Sequence, residues 1–145
     1  MSNANFQTRE QRYADAVYTL VDEYRKQQQK LLKETDQKKR EDELKAACKP
    51  YGAMAHKLPV LIRTAGLAQT LAFLQARHKD GTQQRVLLDH LTKVLGKDDL
   101  VKLSREASVG EYMVITNEVL AALLWFKRYA QSVLNVYASD EGEPR

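Results

Sequence analysis

The apolar residues near the start of the chain recur at helical spacing. Tyr13, Val17, Leu20, Val21, Tyr24, Leu31 and Leu32 form one stripe, interrupted by a polar gap at Gln27–Gln29. That period predicts a long amphipathic helix. Ahead of it, Thr8 and Gln11 have the spacing of a capping box, in which hydroxyl and amide each satisfy an orphan backbone N–H. The stripe fades after Leu32. Residues 33–43 are almost wholly polar and read as the solvated end of a long helix or as an exposed, protruding loop. Their mixed signs weaken a phosphate contact there, because Glu41, Asp42 and Glu43 offset Lys38, Lys39 and Arg40.

Leu44–Cys48 resumes helix-forming sequence before Pro50, which suits the first turn of a new helix. A second helix is therefore expected from Pro50, with a kink or a fresh start at Leu58–Pro59, where proline removes a hydrogen bond. Gly66 then separates two apolar segments. Lacking a Cβ, it takes a positive φ at no steric cost and can make a sharp turn between buried helices. Beyond it, Leu67, Leu71 and Leu74 fall at i, i+4 and i+7, with Phe73 widening the stripe, and Lys79-Asp80-Gly81 signals a turn.

Thr82 caps a fourth helix carrying Val86, Leu87, Leu91, Val94 and Leu95, closed by Gly96. Asp98 and Asp99 put negative charge at the start of a short fifth helix, where the dipole favours it. Ser108 and Glu111 form a second capping box. Val114–Tyr137 reads as helix beyond it, with a break expected near Thr116–Asn117. Leu120, Ala121, Leu123, Leu124, Trp125 and Phe126 cover most of its circumference, which predicts a helix in the middle of a bundle. The polar tail, residues 139–145, is expected to fray. No convincing period-2 run and no internal repeat is present. The pattern predicts an all-α fold: one domain over residues 1–145, a bundle of five or six helices with a long N-terminal helix and a buried C-terminal one.

Composition supports this reading. With 145 residues, 43% hydrophobic and 29% charged, the chain can bury a core as one soluble domain. Only six Gly and three Pro interrupt residues that favour helix. The single cysteine, Cys48, cannot form an internal disulfide, which points to a reducing compartment. No basic-then-apolar leader pattern opens the sequence, and the longest apolar run, Val119–Phe126, is shorter than the ~20 residues of a bilayer span. A cytoplasmic protein without membrane contact is expected.

The net charge of +4 permits nucleic-acid binding without requiring it. Its distribution says more. Between Glu43 and Asp80 there is no acid, while Lys45, Lys49, Lys57, Arg63, Arg77 and Lys79 are all positive. Such point and forked donors bind phosphates without reading sequence. Lys127 and Arg128 are less clear, since their stems can pack on the core with the heads in water. Catalytic chemistry finds no footing. His56, His78 and His90 fall on three predicted helices, none with a His or Cys at i+3 or i+4, so zinc spacing is absent. His56 and His78 read as polar rim or phosphate-adjacent residues, and Cys48 as a small core residue despite its neighbours Lys45 and Lys49. Gly66 belongs to no phosphate-binding loop. No catalytic residue, metal or cofactor is expected.

Two blocks carry a resemblance. The first is Lys57-Leu58-Pro59 with Leu61-Ile62, followed by Gly66-Leu67, Gln69 and Leu71-Ala72-Phe73-Leu74. The second is Tyr112, then Thr116, Glu118 and Leu120, then Leu124–Ala130. In this order and separation they resemble the small subunit of the type III-B CRISPR effector, the Cmr complex. The resemblance implies a helical, non-catalytic subunit that lines up with copies of itself beside the larger Cmr subunits holding the guide RNA. It implies Lys49, Lys57, Arg63, Lys127 and Arg128 as contacts to the backbone of guide and target RNA, with Lys45 and Arg77 added by the acid-free segment. The competing expectation is a helical adaptor that binds only protein.

Overall fold

In the computed structural model, which describes residues 6–141, six helices of seven residues or more are followed by a single turn. They are α1 (Arg9–Lys30), α2 (Gln37–Ala65), α3 (Leu67–Arg77), α4 (Gln83–Val94), α5 (Leu100–Glu106), α6 (Val109–Ser132) and α7 (Ala138–Glu141). The described chain contains no strand, and the all-α bundle with a long first helix is what the periodicity predicts. The tail expected to fray is described only to residue 141, and the rest lies outside the described residues.

Local chemistry sets most boundaries. Thr8 and Gln11 close the capping box of α1, and Ser108 and Glu111 that of α6. Asp36, Thr82 and Asp99 each accept a backbone N–H at the start of α2, α4 and α5. At the end of α4, Gly96 takes φ 67°, Lys97 N–H bonds to Thr92 C=O, and Gly96 N–H bonds to Lys93 C=O, a Schellman closure.

Several expectations change. The second helix starts at Gln37, not Pro50, and runs unbroken through both Pro50 and Pro59. Residues 37–43 of the polar stretch 33–43 are thus helix, their first turn tied down by the Asp36 cap and by Arg40 donating to the Glu34 carbonyl. Each proline costs about 3 kcal/mol in a helix interior. Against that, α2 buries Cys48, Tyr51, Met54, Leu58 and Ile62 among others, and each large apolar side chain removed from water returns about 1.5–3 kcal/mol. Tertiary burial wins. The break expected near Thr116–Asn117 is likewise absent, and α6 ends instead at Ser132.

The core lies where α2 and α6 cross α1 and α4. Val17, Val21, Tyr51, Leu58, Leu67, Leu71, Leu87, Leu91, Leu123 and Phe126 meet there fully buried. Tyr24 and Tyr51 stack at 4.2 Å between centroids, and their hydroxyls reach out of the apolar core to Gln83 and to His90 Nδ1, the latter at 2.7 Å. α6 uses only one face for this core. Ile115, Val119, Ala122, Leu123, Phe126 and Ala130 point inward, whereas Val109, Met113, Val114 and Leu124 are exposed. The expectation of a helix buried all round is corrected to a helix with an open apolar side. α6 is also long and apolar enough, by length and composition, to cross a membrane, with mean hydropathy 1.3 over its most apolar 18 residues. Here its inward stripe serves the bundle.

Two close approaches fix the rest. Gly66, at φ 91°, ends α2 and starts α3 without a side chain to cap it. Tyr112 of α6 supplies the missing acceptor, its hydroxyl taking the Ala68 N–H at 3.0 Å. After α6 the chain doubles back over α2, where a Cβ on Gly52 would lie 2.7 Å from Val136 Cβ. His56 Nε2 donates to the Val136 carbonyl at 2.9 Å.

Candidate nucleic-acid interface

The cations of the acid-free segment belong mainly to α2. At 3.6 residues per turn, Lys45, Lys49, Lys57 and Arg63 fall within an arc of about 120°. Their surroundings differ along its length. Lys57 and Arg63 are exposed, and Lys49 is half-buried. Lys45 is also half-buried, in a surface cleft with Arg25, Glu41, Cys48 and Val133–Asn135. None of the ion pairs among the described residues involves Lys49, Lys57, Arg63 or Arg77.

The turn at Gly66 folds α3 back so that its C-terminal end returns to Lys57. His78, just past α3, records this. Burial lowers its pKa first, and the nearby positive charges of Arg77, Lys57 and Arg85 lower it further. Three helices therefore bring three cations to one imidazole. Arg77 lies over the exposed ring of Phe73, 5.1 Å from its centroid. Arg85 is held from two sides, pairing with Asp80 at 2.7 Å and donating to the His78 carbonyl at 3.0 Å.

Arg85 is the member that sequence reasoning missed. A signal was present: a cation in the first turn of α4 opposes the helix dipole and needs a local reason. Its reason is the turn it staples, and in doing so it occupies Asp80, the carboxylate next in sequence after the acid-free segment.

Lys127 and Arg128 stand elsewhere. Arg128 lies over Trp125, 5.4 Å from the ring centroid. The neighbouring Tyr129 hydroxyl has its pKa raised by burial, then by Asp15 and Tyr18 of α1, with Arg128 acting in the opposite sense. That places Arg128 beside α1 and within reach of an acid's field. Lys127 is half-buried next to Phe126, an arrangement that suits a stem on the core and a head in water. Neither residue is among the cations that converge on His78.

The remaining candidates are structural. Cys48 is fully buried, and burial pushes its thiol up to about 11. His56, expected on a polar rim or beside phosphate, is buried beneath the C-terminal segment it anchors. His90 is tied to Tyr51. Among the described residues no three His, Cys, Asp or Glu side chains come together as metal ligands.

Comparison with known proteins follows the same lines. A sequence profile described as CRISPR-associated protein (Cas_Cmr5) matches residues 9–133. A protein of Thermus thermophilus named CRISPR system Cmr subunit Cmr5 is 48% identical over 87 residues, 58% of this chain and 75% of the relative. The crystal structure of a CRISPR-associated Cmr5 family protein, also from Thermus thermophilus, superposes with a TM-score of 0.68 at 37% identity. That match covers 88% of this chain and 98% of the other.

Proposed function

Because the chain belongs to the CRISPR-associated Cmr5 family, we propose that it is the small, non-catalytic subunit of a type III-B Cmr effector acting in the cytoplasm. In this reading it stands beside larger Cmr subunits and further copies of itself along the paired guide and target RNA. Its basic residues touch the RNA backbone: Lys57, Arg63 and Arg77 foremost, with Lys45, Lys49, Lys127 and Arg128 as further contacts. Sequence is read by base pairing, so the subunit needs only charge and duplex shape. The observation that carries this reading is that Lys49, Lys57 and Arg63 share one arc of α2, and that they and Arg77 take part in none of the ion pairs among the described residues. Arg85 is already answered by Asp80, whereas Lys57 and Arg77, outside those pairs, can hold a phosphate.

Titration of the purified chain with a short RNA duplex over a range of salt tests it. Binding is expected to be weak and indifferent to sequence, with log affinity falling by about 0.9 per neutralised phosphate for each decade of salt. Changing Lys57 and Arg63 together to Glu should abolish it while the helical circular dichroism stays the same. A second reading, an adaptor that binds only protein, draws support from the open apolar side of α6 formed by Val109, Met113, Val114 and Leu124. Wild-type chain that ignores RNA at every salt concentration would favour it.

A further inference from the structure

α3 buries Leu67, Leu71 and Leu74 but leaves Phe73 about half in water, at 47% exposure. An aromatic ring left half on the surface keeps part of its apolar area in water, so its surroundings matter. One turn on, the Arg77 guanidinium lies over that ring at 5.1 Å. Lys57 and Arg77 both act on His78, immediately beyond the end of α3. A phenyl ring and the one guanidinium plane over it thus sit near the Lys57 ammonium, in a segment without carboxylates from residue 44 to residue 79.

We propose that Phe73 and Arg77 form a stacking platform for an unpaired nucleobase whose phosphate is held by Lys57 and Arg77. The proposal rests on the RNA-backbone reading above and adds a specificity that charge alone lacks. A base inside a duplex has both faces covered by its neighbours; only a displaced or single-stranded base offers a free face. Aromatic rings accept such faces whatever the base, and arginine adds a cation–π share. The surface therefore fits single-stranded RNA, or a nucleotide displaced from a duplex, in preference to continuous paired RNA.

The test uses the full chain at low salt with single-stranded RNA carrying 2-aminopurine, and with the same sequence fully paired. Wild-type protein should change 2-aminopurine emission on binding the single strand. Phe73→Leu should lose that change and bind the single strand about tenfold more weakly, the scale of one stacked base, with salt dependence and duplex affinity unaltered. Because Phe73 is exposed, Phe73→Leu should fold. Phe73→Trp provides an independent readout, its added indole emission being quenched by single-stranded RNA and not by the duplex. If Phe73→Leu binds as wild type with the emission change intact, the platform is wrong and the phosphate reading survives. If wild-type chain binds neither RNA, both fall together.

Discussion

Tyr112 shows how much one hydroxyl can settle. It accepts the Ala68 N–H at the start of α3, where Gly66 offers no side chain, and so ties α6 to the turn between α2 and α3. Tyr112→Phe should therefore lower stability by about 1 kcal/mol, seen as a lower urea midpoint with unchanged slope. An unchanged midpoint would show the bond to be idle. His90 makes a second prediction. Burial, with a smaller contribution from Lys93, lowers its pKa from 6.5 to about 4. The unfolded chain thus binds this proton at a higher pH than the folded one. Stability from this group is full above pH 6.5 and declines as pH falls from there toward about 4. His90→Gln should flatten that part of a urea-midpoint-against-pH curve, and an equally steep curve would refute the assignment. Tyr51 could not be known from sequence as the partner, since the two residues are 39 positions apart.

At the level of elements, most starts were readable, the start of α2 excepted, and continuity was not. The capping residues Thr8, Thr82, Asp99 and Ser108 act within three positions of themselves, so residue type and spacing suffice to find them. Ser108→Ala should cost about 1 kcal/mol and lower the thermal midpoint, while Glu111→Gln, which keeps the reciprocal bond possible, should cost less. Equal losses for the two would mean that charge, not the cap, holds this end. Pro50 and Pro59 mislead for the opposite reason. Their local penalty is fixed by the residue, but whether it breaks a helix depends on what the neighbouring turns bury. In α2 those turns lie against α4, α6 and the returning C-terminal segment. The face of α6 was hidden in the same way: apolar residues encircle it, and only the neighbours decide which of them meet water.

For the molecule as a whole, the proposed interface depends on a reversal of the chain. Lys57 and Arg77, far apart in sequence, share an imidazole only because Gly66 turns α3 back along α2. Lys57→Gln should accordingly raise the His78 pKa toward its ordinary 6.5, read by NMR titration of the ring. A pKa that stays put would separate Lys57 from the group and remove the main support for a shared phosphate site. Lys127 and Arg128 entered the candidate set through resemblance; Arg128 lies over Trp125, and neither residue is among the cations acting on His78.

What the chain determined by itself was its helical class, most helix ends, the acid-free basic segment and the family likeness. Each of these is written in residue type and short spacing, where bonds span three or four positions. What only the tertiary structure decided was which cations stand together, that Arg85 joins them, that His56 lies under the C-terminal segment, and which side of α6 is open. These depend on contacts between residues tens of positions apart, and such contacts are fixed by the burial of side chains from several helices at once.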